Sequence, residues 1–285
     1  MITLSDLGII SALGEGKTST LKNALSGNTA GMQKVRGIIP NQEIICGVVN
    51  STLPQINLPQ YDIRANRLLL AVVEQLKESI ARLKKEYPLD RLGIVLGSSN
   101  TGIEEAQNNI NHWLAEGVCP KDFDISHLEL GSPSAFLQDL CGFRGPAYTV
   151  STACSSAAKA ISSGKKLLQY EICDGVLVGG VDALCSLATN GFFALEALST
   201  TLTNPLSINR SGINLGEGAA LFIMERDKGG IQLLGAGESS DAYHLTAPDP
   251  EGAGAKSAML AALAEAEIPP QRYRLYQSTR NRNYT

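Results

Sequence analysis

Apolar and polar positions follow two patterns that alternate along the chain. Short uninterrupted apolar runs indicate strands covered on both faces, whereas apolar residues at intervals of three and four indicate amphipathic helices. The strand candidates are residues 43–49, 92–97, 147–150, 175–181, 219–224 and 231–235. The helix candidates are residues 17–25, 63–85, 102–116, 154–170 and 254–266. This alternation predicts an α/β fold with a largely parallel sheet.

The most regular helical pattern lies in residues 63–85. Its apolar positions are Leu68, Ala71, Val72, Leu76, Ile80 and Leu83, with charged residues on the other side. We interpret this segment as a core helix without a chemical role. Stretches rich in Gly, Ser and Asn at 198–218 and 235–254 predict loops.

Composition narrows the class of protein. The 285 residues are 44% hydrophobic and 18% charged with a net charge of −4, which is ordinary for a soluble globular protein and gives no reason to expect nucleic acid binding. The six cysteines show no metal-binding or redox spacing. We find no signal peptide and no apolar run of membrane-spanning length. The sequence therefore predicts a cytoplasmic protein with free thiols, no metal and no membrane contact.

Cys154 is the leading candidate for chemistry. It follows the predicted strand 147–150 and precedes a helical segment, in the sequence Ala153-Cys154-Ser155-Ser156. At such a turn, unpaired N–H groups and the helix dipole favour a thiolate, and the same N–H groups can stabilise an oxyanion. A small buried cysteine that packs a strand end is the alternative, and the local pattern leaves both open.

Other candidates have weaker patterns. Glu217 stands between two glycines before an apolar run, where a carboxylate acts either as an acid or base or as an acceptor for backbone N–H groups, and we favour the structural role. His244 lies in a small polar loop that either lines a ligand entrance or forms a capped turn. His112 and His127 have no patterned partners, so we expect both at the surface.

Several segments together resemble the β-ketoacyl-acyl carrier protein synthases of the elongating type. They are residues 7–14, 145–156, 179–183, 197–199, 216–220 and 239–246. The most specific of them is Thr152-Ala153-Cys154-Ser155-Ser156, and the resemblance extends to about Pro269. It implies that Cys154 is the family's nucleophile, with its backbone N–H in the oxyanion hole. It also implies that Ser240, Asp241, His244 and Thr246 belong to a substrate-entrance loop.

The resemblance implies a thiolase-like fold in which two similar α/β halves face each other, usually in a dimer. In such enzymes the cysteine takes an acyl group from acyl carrier protein as a thioester. The carbanion formed by decarboxylation of malonyl-acyl carrier protein then attacks this thioester, in fatty acid or in polyene and polyketide synthesis. No cofactor is implied. The expected partners are acyl carrier protein and a second synthase subunit, in a homodimer or a heterodimer.

The sequence departs from this family in its last part. We expect residues 1–228 to form a complete N-terminal half and residues 229–270 to form the beginning of the C-terminal half. The two family histidines, in a His-Gly-Thr segment and an Asn-His motif, are missing, which predicts impaired condensation. We interpret residues 271–285 as an aberrant, frameshifted tail, since permitted codons allow His-Gly-Thr in another frame. The alternatives are a non-catalytic subunit of a synthase heterodimer, or a hydrolase that uses the same cysteine.

Overall fold

A computed structural model of the protein describes residues 1–120, 124–244 and 247–270. The strands are β1 Ile2–Ser11, β2 Gly14–Glu15, β3 Met32–Ile39, β4 Gln42–Gly47, β5 Leu92–Gly97, β6 Ala147–Val150, β7 Gly175–Asp182, β8 Gly218–Arg226 and β9 Ile231–Gln232. The helices are α1 Lys17–Leu25, α2 Arg64–Gln75, α3 Lys77–Glu86, α4 Ile103–Glu116, α5 Ser132–Cys141, α6 Ser156–Gln169, α7 Ser186–Ala194 and α8 Ala253–Glu265. The tail predicted for residues 271–285 lies outside the described residues.

Seven strands form one mixed sheet. Their order is β2-β1-β8-β7-β5-β6, and β9 pairs with β1 outside this path. Strand β5 runs parallel to β6 and β7, whereas β8 is antiparallel to both β7 and β1. The prediction of a largely parallel sheet is therefore wrong. A continuous apolar run shows that both faces of a strand are covered, but it carries no information on strand direction.

Helices cover both faces of this sheet. Leu68, Leu69 and Val72 of α2 pack with Phe136 and Leu137 of α5 in one large apolar cluster against the first face. On the opposite face, a smaller cluster joins the sheet to α6. The sheet is thus the middle layer of three, which accounts for the apolar strands that the sequence shows.

Strand β5 passes through the centre of this arrangement. All six of its residues are buried. Leu92, Ile94 and Leu96 belong to the first cluster, and Val95 belongs to the cluster with α6. The alternation follows from the two-residue period of a strand. The chain leaves β5 at Gly97, which lies next to the start of α6.

The segment predicted as one helix over residues 63–85 consists of two helices. Helix α2 ends at Gln75 and α3 begins at Lys77, because Leu76 leaves the helical conformation with φ −102° and ψ 4°. The side chain of Leu76 is nevertheless fully buried. Apolar spacing continues across the break, so periodicity alone does not reveal it.

Glycines let α6 lie directly on the sheet. A Cβ atom on Gly97 would stand 2.3 Å from the carbonyl carbon of Ser156 and 2.4 Å from the nitrogen of Ala157. On the neighbouring strand β7, a Cβ atom on Gly180 would stand 2.8 Å from the Cβ of Ala157. The main chain at the start of α6 therefore rests on the main chain of β5. Only glycine allows this approach.

We expect Gly97→Ala to lower the free energy of unfolding by about 2 kcal/mol, because the added methyl group overlaps main-chain atoms that have no room to move. Chemical denaturation followed by circular dichroism measures the change. Gly229→Ala is the matched control, since a Cβ there would meet nothing within 4 Å. Equal stability of the two variants would contradict this account of the contact.

After β8 the chain forms β9, which pairs with β1, and then runs along α6 to helix α8. This extended segment passes close to α8, where a Cβ on Gly237 would stand 1.9 Å from the carbonyl oxygen of Ala258. Lys165 of α6 is only 4% exposed, and its ammonium lies 2.8 Å from a carboxylate oxygen of Glu265 in α8. This ion pair joins α8 to α6. Within the described ranges, no helix has the length and apolar character needed to cross a bilayer.

Candidate active site

A cleft opens beside Cys154 where several strands end. Its volume is about 350 Å³. Its walls include the ends of β1, β5, β7 and β8 together with the first turn of α6. Cys154 is exposed and lines this cleft. The alternative of a buried cysteine that packs a strand end is therefore wrong.

The turn that carries Cys154 is held by hydroxyl groups. Ala153 has a φ of 51°, which is unfavourable for a residue with a side chain. The Ser156 hydroxyl accepts a hydrogen bond from the Thr152 N–H at 2.9 Å and donates one to the Ala153 carbonyl at 2.6 Å. These two bonds fix the backbone on both sides of Ala153. They hold the following residue, Cys154, just before the start of α6, where it lines the cleft.

Burial separates Cys154 from four of the other cysteines. Cys46, Cys141, Cys173 and Cys185 are buried, whereas Cys154 and Cys119 are exposed. Removal from water raises the pKa of all four buried thiols, to about 11 for Cys141 and Cys173. Since the thiolate is the nucleophile, these four are poor candidates for reaction at neutral pH.

Cys119 is the other exposed thiol, but it has a different setting. It follows the end of α4, after Gly117, which ends the helix with a φ of 70°. Cys154 instead precedes the first turn of α6, where the positive end of the helix dipole and the N–H groups lie. Of the two exposed thiols, Cys154 alone combines a cleft with a helix N-terminus.

A carboxylate that the sequence argument did not single out borders the same cleft. Asp182 is the last residue of β7 and lines the cleft. One of its oxygens accepts hydrogen bonds from the Ser99 N–H at 2.7 Å and from the Ser98 and Ser99 hydroxyls at 3.2 and 3.0 Å. Asp182 therefore fixes the turn that follows Gly97. A carboxylate at the end of an apolar strand is the feature of the sequence that could have indicated this residue.

Glu217 has the structural role that its sequence context favours. Its carboxylate accepts a hydrogen bond from the Val49 N–H at 3.0 Å and binds the Arg64 guanidinium through two bonds, one of them 2.6 Å long. The Glu217 side chain is 1% exposed, and that of Arg64 is 40% exposed. The carboxylate raises the pKa of Arg64 further. The flanking Gly216 and Gly218 line the cleft, so this ion pair positions one of its walls.

The predicted entrance loop lies outside the cleft lining seen among the described residues. Ser240, Asp241 and His244 are exposed in the segment before α8, and Thr246 falls outside the described residues. Asp241 accepts hydrogen bonds from the N–H groups of Asp249 and Tyr243, at 2.7 and 2.9 Å, and these bonds lower its pKa. Asp241 thus organises its own loop.

Glu238, just before this loop, attaches the segment to α6. Its carboxylate accepts a hydrogen bond from the Ser162 hydroxyl at 2.7 Å and pairs with the Lys159 ammonium, which lowers the pKa of Glu238. Lys159 is the fourth residue of α6, the helix that follows Cys154. The predicted entrance loop therefore starts near the cysteine's helix, although its described side chains do not reach the cleft.

The three histidines also lie outside the described lining of the cleft. His112 is exposed on α4, as expected. The expectation of a surface position is wrong for His127, which is 4% exposed and has its Nε2 atom 2.9 Å from the Pro59 carbonyl oxygen. No group of three or more His, Cys, Asp or Glu side chains in the described part of the chain is arranged to hold a metal ion.

Comparisons with known proteins identify the family of the chain. The family model for the β-ketoacyl synthase N-terminal domain matches residues 48–229. The 3-oxoacyl-[acyl-carrier-protein] synthase 2 of Staphylococcus aureus is 28% identical over 95% of this chain and 70% of its own length. That of Coxiella burnetii is 27% identical with the same coverage. The chain thus spans about 70% of the length of these relatives.

Solved structures give the same result. One matching structure is that of the ketosynthase ApeO in complex with its chain length factor ApeC, from Xenorhabdus doucetiae. The match has a TM-score of 0.91 and 37% sequence identity, and it covers 95% of this chain and 69% of the matched chain. A complex of a type II polyketide synthase acyl-carrier protein with its ketosynthase matches with a TM-score of 0.80 at 20% identity, covering 94% and 70%, and shows the fold alone. This chain belongs to the β-ketoacyl synthase family and has its thiolase-like α/β fold.

Proposed function

We propose that Cys154 accepts an acyl group from acyl carrier protein as a thioester. The observation that carries this proposal is the exposed thiol in a cleft, at the start of a helix that glycines seat on the sheet. The Cys154 thiolate attacks the carbonyl carbon of the incoming thioester. The new carbon–sulfur bond forms while the carbonyl π electrons move onto oxygen; the oxyanion then collapses, the bond to the carrier's sulfur breaks, and the departing thiolate takes up a proton equivalent to the one lost from Cys154. The Cys154 N–H stabilises the intermediate oxyanion.

The second step of the proposed reaction is the condensation with a malonyl unit. It needs groups that stabilise the carbanion formed on loss of carbon dioxide. The described lining of the cleft supplies Cys154 and Asp182 as ionisable side chains, and the chain's histidines lie elsewhere. We therefore propose that these 285 residues form the acyl-enzyme but condense it poorly. In this proposal residues 1–228 form the nucleophile-bearing half, and residues 229–270 begin a second half.

Intact-protein mass spectrometry tests both steps. The purified chain is incubated with an acyl-acyl carrier protein, and the acyl mass is located by peptide mapping. Malonyl-acyl carrier protein is then added, and the ketoacyl product is measured. We expect the acyl mass on Cys154 and its persistence after the malonyl donor is added. Rapid turnover to ketoacyl product would contradict the proposed impairment, and absence of acylation would contradict the proposed function.

A second candidate function is that of a subunit in a synthase heterodimer. The observation that favours it is the matching structure of a ketosynthase bound to its chain length factor. In this proposal a partner synthase subunit supplies the groups for condensation, with residues 239–246 at the substrate entrance. The exposed Cys154 favours an acyl-accepting subunit over a non-catalytic one. Restoration of turnover by an added synthase subunit distinguishes this assembly from the isolated chain.

A further inference from the structure

Asp182 brings a negative charge into the cleft that contains Cys154. The other residues that line this cleft in the described part of the chain are apolar residues, glycines, serines and Cys154 itself. None of these lining residues is a lysine, an arginine or a histidine. A charge in a cleft of this kind is screened less than one on an open surface, so it affects which molecules approach the thiol.

The contacts of Asp182 do not neutralise its charge. The three donors that it binds, the Ser99 N–H and the hydroxyls of Ser98 and Ser99, are all uncharged and all bind the same carboxylate oxygen. The second oxygen has no hydrogen-bond partner among the described residues, and Asp182 is only partly buried. Behind the cleft wall, the Arg64 guanidinium is already paired with the Glu217 carboxylate. The carboxylate of Asp182 therefore keeps its charge and one free oxygen.

The packing of α6 on β7 places Asp182 beside Cys154. Helix α6 connects β6 to β7, which both run parallel to β5, so α6 runs in the opposite direction and starts at their carboxyl ends. Strand and helix touch where a Cβ on Gly180 would stand 2.8 Å from the Cβ of Ala157. From this contact Asp182 lies about 7 Å farther toward the carboxyl ends, on the same face as Gly180. Cys154 lies about 5 Å farther in the same direction, so the carboxylate and the thiol are separated by on the order of 10 Å or less.

We propose that the Asp182 carboxylate selects neutral acyl groups for Cys154 and disfavours acyl groups that carry a carboxylate of their own, such as malonyl. This inference rests on the proposed function and names the substrate class of its first step. An acyl group that ends in a carboxylate brings a second negative charge into the cleft, where the two charges repel each other. A saturated acyl group of similar length meets no such repulsion. Cys154 is therefore loaded with the neutral acyl group when both kinds of donor are present.

Alkylation of the thiol measures this repulsion without any acyl transfer. Iodoacetamide and iodoacetate are similar in size, and with both of them the thiolate forms a carbon–sulfur bond as iodide leaves, but only iodoacetate is negatively charged. Peptide mapping gives the rate at Cys154 for each reagent. Because both reagents react with the same thiolate, the ratio of the two rates does not depend on how much of the thiol is ionised. We expect Asp182→Asn to raise the rate with iodoacetate relative to iodoacetamide about fivefold.

Asp182→Asn removes the charge and keeps an oxygen that can accept the bonds from Ser98 and Ser99. Asp227→Asn is the matched control, because it changes the net charge equally at the opposite end of the sheet, after β8, which is antiparallel to β7. We expect this control to keep the parent ratio. The parent should also discriminate against iodoacetate more strongly when folded than when unfolded in urea. A ratio that Asp182→Asn changes by less than about twofold, or one that is equal in the folded and unfolded parent, would overturn the proposal.

Acylation rates separate this inference from the proposed function. The parent chain and Asp182→Asn are incubated with the butyryl and with the malonyl thioester of N-acetylcysteamine, and mass spectrometry follows each product on Cys154. We expect the parent to prefer the butyryl donor and Asp182→Asn to reduce this preference about fivefold. Equal preference in the two chains would refute selection by Asp182 and leave the acyl transfer intact. Acylation by neither donor would refute the acyl transfer, and the alkylation ratio would then decide alone whether the charge of Asp182 acts at the thiol.

Discussion

Replacement of Cys154 by alanine is expected to abolish acyl transfer to the chain. The variant loses the sulfur that forms the new bond, while the turn around it keeps its hydrogen bonds, because these involve Thr152, Ala153, Ser155 and Ser156. We expect the rate of acylation to fall by about a thousandfold or more, to the background of the assay. Intact-protein mass spectrometry with an acyl-acyl carrier protein measures the loss.

Cys119→Ala is the matched control for that experiment. Cys119 is the other exposed thiol, so non-specific acyl exchange would occur there as well as at Cys154. We expect Cys119→Ala to be acylated at the parent rate. Far-ultraviolet circular dichroism should show the parent fold in both variants. Acylation that survives in Cys154→Ala and disappears in Cys119→Ala would show that Cys119 is the nucleophile and would contradict the proposal.

Glu217→Ala is expected to lower the free energy of unfolding by about 2 kcal/mol, the scale for leaving a buried backbone N–H without its acceptor. The variant leaves the Val49 N–H and the Arg64 guanidinium without their acceptor. Because Gly216 and Gly218 line the cleft, we also expect slower acylation of Cys154. Urea denaturation measures the stability, and mass spectrometry measures the acylation.

Two further variants isolate the role of this carboxylate. Glu217→Gln keeps the shape of the side chain and one acceptor oxygen, so we expect a stability between those of the parent and Glu217→Ala. Glu43→Ala removes an ion pair with Lys34 and Arg36 on the exposed hairpin, where solvent screens the charges, and we expect little change in the denaturation midpoint. If Glu43→Ala were as destabilising as Glu217→Ala, burial would not explain the effect.

The sequence predicted the parts of the fold whose local pattern matches their final environment. Helix α6 and strands β5 and β7 have continuous patterns and lie close to the predicted positions. Strand β1 was not predicted, since its Ser5 and Asp6 interrupt the apolar pattern. In the structure these polar groups are satisfied by distant residues, the Ser5 hydroxyl by Glu225 and the Asp6 carboxylate by Ser79. Such long-range partners have no signature in the local sequence.

Two further helices and part of the site were missed for a similar reason. Helix α7 contains Asn190 and Gly191, which argue locally against a helix, but Asn190 donates hydrogen bonds to the Ile38 and Ser186 carbonyls. Helix α5 begins with Ser132 and Pro133, which resemble a loop. In the site, the strand–turn–helix pattern was enough to single out Cys154. The contacts of Asp182 were not predictable, because Ser98 and Ser99 meet it only when β5 and β7 pair.

The contact of Gly97 with the start of α6 has a consequence for redesign of this protein. The height of the sulfur above the sheet is set by two stretches of main chain in contact, and it does not depend on the size of any side chain between them. For the acyl transfer proposed above, residues elsewhere on the cleft wall can therefore be exchanged to test acyl groups of other sizes while the sulfur keeps its place. In a library of cleft variants that keeps Gly97 and Gly180, changes in the preferred acyl group could be measured separately from changes in the reactivity of the Cys154 thiol.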